Sequence, residues 1–225
     1  SISNIKWNFS LSRCVLNNIT LTNMKSSISF IATILICCAM CETPPSIVLC
    51  PSVVSRDEWN ANAATETNFL ELPVKIVIIC HTVTPECTTL QACMRRVKSI
   101  QNYHQKEKHW GDIAYNFLIG NDGRVYEGIG WDKVGRHTKQ FNEVSIGIAF
   151  IGNFSAKLPS KAALDAAKNL LQCGCAEGHL DANYTLFGAR DVSNTESPGA
   201  NLNQEIQNWP HWMTMEQGQI IIPRK

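Results

Sequence analysis

The pattern of apolar and polar residues along the chain predicts five strands. Short runs rich in Val and Ile are typical of strands that are buried in a sheet. The predicted strands cover residues 75–79, 115–119, 124–126, 144–151 and 184–187. Asp122-Gly123 lies between the second and third of these strands and is a turn signal, so the two strands are predicted to form a hairpin.

Apolar residues at helical spacing predict three main helices, over residues 88–106, 160–177 and 202–209. In the first helix His104 follows Ile100 by four residues and therefore lies on the same apolar face. Strands and helices alternate along the chain, with one hairpin among them. The fold class is therefore predicted to be α/β, with a mixed central β-sheet flanked by the three helices.

The N-terminal residues are predicted to be separate from the folded domain. Residues 24–41 combine a basic start, Met24-Lys25, with an apolar stretch too short to span a bilayer comfortably, which is typical of a secretory signal peptide. A membrane anchor is the alternative. Residues 1–23 precede the expected initiator methionine and are interpreted as upstream sequence. The rest is predicted to divide into an N-terminal arm over 42–54, a folded domain over 55–213 and a flexible tail over 214–225.

Charge argues against a nucleic-acid partner. Removing residues 1–41 lowers the formal charge from +1 to −2, with 17 basic residues against 19 acidic ones. The sequence contains no basic tract of the kind that binds a phosphate backbone.

Ten cysteines suggest an oxidising compartment, although four of them lie within residues 1–41. In a secreted domain the other six are read first as a disulfide framework, whose connectivity the spacing leaves open. These six are Cys50, Cys80, Cys87, Cys93, Cys173 and Cys175.

Four blocks of sequence carry a resemblance to a known family. Residues 112–131 (DIAYNFLIGNDGRVYEGIGW), 145–153 (SIGIAFIGN), 197–199 (SPG) and 208–212 (NWPHW) resemble animal peptidoglycan recognition proteins. These are relatives of the zinc-dependent phage and bacterial N-acetylmuramoyl-L-alanine amidases, and the match covers about residues 50–212.

The resemblance implies an amidase-like peptidoglycan recognition domain with a groove for muramyl-peptide. It also implies two disulfides, Cys50–Cys173 and Cys87–Cys93. Cys175 is then expected to be a free thiol, and Cys80 a small buried side chain in the floor of the groove.

The same resemblance places three residues where the amidases hold their catalytic zinc. Such a zinc needs three protein ligands and an open position. The amidases use two histidines and a cysteine, whereas this chain has Cys80, Ala189 and Ser197. Ala189 has no ligating atom and a serine hydroxyl is a poor zinc ligand. We therefore expect no metal, no cofactor, no catalytic residue and no amidase activity.

The family's ligand contacts, carried over position by position, fall on nine residues. Most have side chains that donate or accept hydrogen bonds, as a groove for amides, hydroxyls and carboxylates requires. The nine are His81, Thr82, His104, Lys108, His109, Trp110, Tyr115, His137 and Asn142. For His104 alone, a buried core histidine is the ordinary alternative.

Four positions bear on the choice between lysine-type and diaminopimelate-type peptidoglycan. Relatives that favour diaminopimelate use an arginine where this chain has Ile129. An isoleucine cannot donate hydrogen bonds to the extra carboxylate of diaminopimelate. The pair His109-Trp110 matches neither of the family's two usual pairs, and Arg136 introduces a cation that favours a carboxylate. Weighed together, these positions lean towards lysine-type peptidoglycan.

The resulting prediction is a secreted, extracellular, innate-immune receptor that binds bacterial muramyl-peptides and presents them to a downstream signalling protein. One alternative is a residual peptidoglycan hydrolase that uses Cys80 as a ligand or nucleophile. Adjacent strand residues point to opposite faces, which argues against His81 as the base for Cys80. The other alternative is a decoy that sequesters wall fragments without signalling.

Overall fold

The computed structural model describes residues 50–214, and a six-stranded mixed sheet lies at their centre. The strands lie side by side in the order β1-β4-β3-β5-β2-β6, and all neighbours are parallel except β3 and β4, which form the predicted hairpin. The strands are β1 (Val53–Val54), β2 (Val74–His81), β3 (Phe117–Ile119), β4 (Val125–Glu127), β5 (Ser145–Phe150) and β6 (Leu180–Gly188).

Between residues 50 and 214, four helices accompany the sheet: α1 (Leu90–Lys106), α2 (Lys161–Ala176), α3 (Ala189–Val192) and α4 (Ala200–Ile206). The long helices start where the sequence provides a cap. The hydroxyls of Thr89 and Ser160 each accept a hydrogen bond from a backbone N–H of the first turn. Since α3 has only four residues, the three main helices of the prediction are α1, α2 and α4.

Alternate residues of β2 belong to two different cores. Val77 and Ile79 pack with residues of α2 and α4 on one face of the sheet. Ile78 and Cys80 lie on the other face, in a cluster with Phe141. This period of two decides which side chains at the carboxyl end of β2 face each side of the sheet.

The largest differences between the predicted and the observed elements concern β1, β6 and the last helix. The predicted arm contains β1, a two-residue strand that pairs with β4. The last strand is longer than 184–187, because β6 begins at Leu180 and contains a register irregularity beside β2. The last helix ends at Ile206 and not at residue 209, since turns follow it.

In the described part of the chain two disulfides fix the domain, Cys50–Cys173 and Cys87–Cys93. These are the two pairings that the resemblance implies. Within residues 50–214 the free cysteines are Cys80, which is buried, and Cys175, which is partly exposed. No helix in this part of the chain is both long and apolar enough to cross a membrane. The predicted signal peptide over 24–41 and most of the predicted tail over 214–225 lie outside the described residues.

Candidate ligand-binding groove

A cavity of about 610 Å³ opens at the carboxyl end of β2. Three further parts of the chain meet there: the segment after α1, the loop before β5, and the start of α3 with the loop that follows it. Its lining is mostly polar and comprises Cys80, His81, Thr82, Val83, Lys108, Tyr115, His137, Thr138, Lys139, Ala189, Ser193, Thr195, Glu196 and Ser197.

The three positions equated with the amidase zinc ligands come together in this cavity. Ser197 Oγ accepts a hydrogen bond of 3.0 Å from the backbone N–H of His81. The Cys80 side chain is only 2% exposed, and its burial raises the pKa of the thiol to about 12, against the opposing effect of hydrogen bonds with Ser197 and Thr138. Ala189, also buried, presents a methyl group.

These residues do not fit a zinc ion. A zinc thiolate must be deprotonated, Ala189 has no donor atom, and Ser197 already accepts a backbone hydrogen bond. Elsewhere in the described residues, the candidate metal-binding cluster of His, Cys, Asp and Glu contains Cys50 and Cys173, whose sulfurs are bonded to each other.

His81 lines the cavity, but its ring is used on the other face of the sheet. The ring Nδ1 accepts a hydrogen bond of 3.3 Å from the backbone N–H of Phe154, which belongs to the core on the α2 side. That acceptor role places the proton of the neutral ring on Nε2. Burial lowers the pKa of His81, so the ring is neutral at neutral pH.

His104 supports the two aromatic residues predicted to shape the groove. Its Nδ1 accepts a hydrogen bond of 3.1 Å from the N–H of Ala114. Its ring centroid lies 5.0 Å from that of Trp110 and 5.8 Å from that of Tyr115. Only 7% of His104 is exposed, and burial lowers its pKa to about 4. In this structure it is a buried, hydrogen-bonded histidine, and direct contact with ligand stays a prediction.

The ring of His137 packs directly against the backbone of two glycines, where any larger residue would clash with it. A Cβ on Gly147 would lie 2.3 Å from the ring, and one on Gly135 would lie 2.6 Å from it. The ring Nδ1 is 3.3 Å from the hydroxyl of Thr138, while Nε2 is buried without a partner among the described residues. Burial lowers the pKa of His137 to about 4, against the opposing effect of the Ser145 backbone, which lies too far away or at too poor an angle to count as a hydrogen-bond partner by geometry. The ring at the cavity wall is therefore uncharged.

Tyr115 and Lys108 complete the predicted contacts in this cavity. Burial of the phenol raises the pKa of Tyr115, so the hydroxyl stays protonated and can donate a hydrogen bond. Lys108 is exposed and stands 5.5 Å from the ring of Tyr103. Since the cavity histidines are neutral, the positive charge at this site comes from lysines.

Two of the four predicted specificity residues, Ile129 and Arg136, line a second cavity, of about 310 Å³. Ile129 lies in its wall and is only 5% exposed. Arg136 also lines it, and its guanidinium pairs with the Glu66 carboxylate at 2.9 Å. Asn142 lies nearby and accepts a hydrogen bond through Oδ1 from the backbone of Thr138.

The His109-Trp110 pair follows α1. His109 is exposed and has a positive φ of 54°, and Trp110 is half-buried against His104. Neither residue lines the cavity that contains Ser197. The structure therefore places five of the nine predicted contacts around one cavity, with Asn142 in the second and three residues at or beneath the adjoining surface.

Several lining residues were not predicted. Thr138, Lys139, Thr195 and Glu196 border the first cavity, and Val83 does so with an unusual backbone. Their proximity in the sequence to Thr82, His137 or Ser197 is the available signal, because none belongs to a motif.

Both the sequence and the fold resemble known proteins. The family model described as N-acetylmuramoyl-L-alanine amidase matches residues 70–200. Peptidoglycan-recognition protein 1 of Holotrichia diomphalia is 52% identical over 161 residues, which covers 72% of this chain and 82% of that protein. Peptidoglycan-recognition protein SA of Drosophila melanogaster is 48% identical over 165 residues, with 73% and 81% covered.

Solved structures give the same result. The structure of bumblebee PGRP-SA is similar with a TM-score of 0.72 and 44% identity, covering 73% of this chain and 98% of that one. Peptidoglycan recognition protein-LE, in complex with the diaminopimelic acid-type peptidoglycan monomer tracheal cytotoxin, is similar with a TM-score of 0.73 and 42% identity. That alignment covers 74% of this chain and 98% of the neighbour.

Proposed function

The chain belongs to the peptidoglycan recognition proteins, within the N-acetylmuramoyl-L-alanine amidase family, and on this premise we propose that it binds muramyl-peptides of bacterial peptidoglycan without hydrolysing them. The observation that carries the proposal is Ala189. It stands in a polar groove at the position of a zinc ligand and supplies only a methyl group. The groove thus keeps hydrogen-bonding walls suited to a muramyl-peptide while lacking the donors for the amidase metal.

The arrangement also disfavours a cysteine nucleophile. The thiolate is the reactive form of cysteine, and the raised pKa of Cys80 keeps the thiol protonated. The neighbouring base, His81, receives a hydrogen bond from Phe154 through Nδ1. The residual-hydrolase alternative therefore has neither an activated nucleophile nor a base directed at it.

We propose that ligand contacts come from Thr82, Lys108, Tyr115 and His137 in the first cavity, with Asn142 and the aromatic face of Trp110 extending the site. Hydroxyl, ammonium and amide groups match the amides and carboxylates of a stem peptide. His81 and His104 have a different proposed role. Their Nδ1 atoms hold the backbone around the groove, and each ring offers its Nε2–H to any ligand atom that comes within hydrogen-bond distance.

The proposed preference is for lysine-type peptidoglycan. Ile129 offers no donor for the extra carboxylate of diaminopimelate. Arg136, the cation that argues the other way, is already paired with Glu66. A diaminopimelate carboxylate would compete with Glu66 for the guanidinium of Arg136, whereas a lysine side chain would not.

The remaining proposal is a secreted, extracellular receptor of innate immunity that presents bound wall fragments to a signalling protein. Its two disulfides suit an oxidising compartment. The decoy alternative has the same binding site. An assay with immune reporter cells separates the two, because added receptor should increase the response to wall fragments and an added decoy should decrease it.

Calorimetric titration with lysine-type and diaminopimelate-type muramyl-pentapeptides tests the binding and its specificity. We expect both to bind and the lysine type to bind more tightly. Ile129→Arg should raise affinity for the diaminopimelate ligand, while Ile129→Leu, the matched apolar control, should leave both affinities unchanged. Equal affinities in the wild type and in Ile129→Arg would contradict the role of this position.

A further inference from the structure

Val83 has a backbone conformation that its side chain does not favour. Its φ is +55°, in the left-handed region, where a β-branched residue is a genuine outlier. Gly, Asn and Asp are the residues that adopt this conformation readily. Such outliers concentrate at ligand-binding and catalytic sites.

The conformation is imposed by the end of β5. The backbone N–H of Val83 donates to the carbonyl of Gly152 at 2.8 Å. The hydroxyl of Thr82 accepts a hydrogen bond of 3.1 Å from the N–H of Gly152, and it lies 2.8 Å from the hydroxyl of Thr84. These contacts involve backbone and threonine atoms, so they fix the turn whatever side chain residue 83 carries.

Packing within the protein does not account for a valine here. Its side chain is one of the most exposed large apolar groups in the described residues, at 62%. It also lines the cavity that contains Cys80 and Ser197. An exposed apolar group held in a disfavoured conformation at a cavity wall is explained by an occupant of that cavity.

The chemistry of that occupant follows from the positions around it. The family model is that of an N-acetylmuramoyl-L-alanine amidase, an enzyme that acts on the muramoyl–alanine amide. Cys80, Ala189 and Ser197 line this cavity, and the resemblance to the amidases equates them with the three ligands of the metal that acts on this amide. Two methyl groups flank this amide, one on the lactyl ether and one on L-alanine. Val83 lines the same cavity and is the exposed apolar side chain at this end of it.

We infer that Val83 is a ligand-contact residue whose isopropyl group packs against a methyl group flanking the muramoyl–alanine amide. The inference rests on the proposed peptidoglycan-binding function. It explains why the chain keeps a β-branched residue where asparagine or glycine would relieve the backbone.

The test pairs a polar with an apolar substitution at this position. Val83→Asn suits the left-handed backbone and removes the apolar contact, so it should raise the melting temperature while weakening affinity for a muramyl-tripeptide about fivefold. Val83→Leu keeps an apolar contact and should retain affinity within about twofold.

Two ligand analogues identify the methyl group. One replaces L-alanine with glycine and the other replaces the lactyl group with a glycolyl group. The analogue that lacks the contacted methyl should bind wild type and Val83→Asn almost equally. If Val83→Asn binds the parent ligand as tightly as wild type does, the inference is overturned. A wild type that binds no muramyl-peptide instead contradicts the proposed function itself.

Discussion

Acidification should destabilise this domain through His104, and the direction follows from its surroundings. The ring is buried, its Nδ1 accepts a hydrogen bond from Ala114, and Lys108 adds a smaller unfavourable charge that Asp112 partly offsets. Burial, the accepted hydrogen bond and Lys108 all disfavour the protonated ring, and only Asp112 favours it. The folded-state pKa is therefore about 4, below the ordinary value of 6.5.

The size of the effect can be worked from the two pKa values. Between pH 6.5 and pH 4 the unfolded chain binds a proton at this residue and the folded domain does not, so stability falls as pH falls. For one histidine the loss between pH 7 and pH 5 is about 2 kcal/mol. His137, with a pKa also lowered to about 4, adds a similar loss.

Urea unfolding at a series of pH values, for wild type and His104→Asn, measures this contribution. The asparagine oxygen replaces the Nδ1 acceptor but does not titrate in this range, although lost ring packing lowers stability at every pH. The expected result is a loss between pH 7 and pH 5 that is about 2 kcal/mol smaller in the variant. Equal losses in the two proteins would refute the reasoning.

Two comparisons between matched sites test the energetics of the fold. Replacing both cysteines of Cys50–Cys173, which are 123 residues apart, with serine should lower the free energy of unfolding in denaturant by about 5 kcal/mol. The same replacement at Cys87–Cys93, which are six residues apart, should lower it by about 2 kcal/mol. Equal losses would exclude loop entropy as the cause. Arg56→Met should lower the free energy of unfolding by about 3 kcal/mol. It removes the guanidinium that pairs with Asp112 at 2.8 Å and leaves a largely buried carboxylate without this positive partner. Arg136→Met breaks an exposed pair and should cost under about 1 kcal/mol; a larger loss there would contradict the assignment.

The sequence predicted the elements that have a long, regular pattern. α1 and α2 have apolar stripes, a capping residue and clear ends, and β2 is a continuous run of Val and Ile. β1 escaped prediction because two residues carry no period. The start of β6 escaped because polar, largely exposed residues interrupt its apolar pattern beside the register irregularity.

Five of the nine predicted contacts line one cavity, but the sequence did not predict how their side chains are oriented. Resemblance placed Cys80, Ala189 and Ser197 at the zinc positions, and the structure brings all three into one cavity. No local pattern reveals that the His81 ring accepts a hydrogen bond from Phe154, because residues 73 positions apart in the sequence make that contact. The left-handed backbone of Val83 is likewise imposed by a tertiary hydrogen bond.

The most direct test of the central claim is the mass spectrum of a muramyl-pentapeptide recovered from its complex with the protein after incubation with zinc. The proposed function predicts that the ligand is retained on the protein and recovered at its intact mass, because the groove binds it and Ala189 cannot help to hold a metal. Recovery of free stem peptide, at a rate that depends on zinc, would contradict the claim.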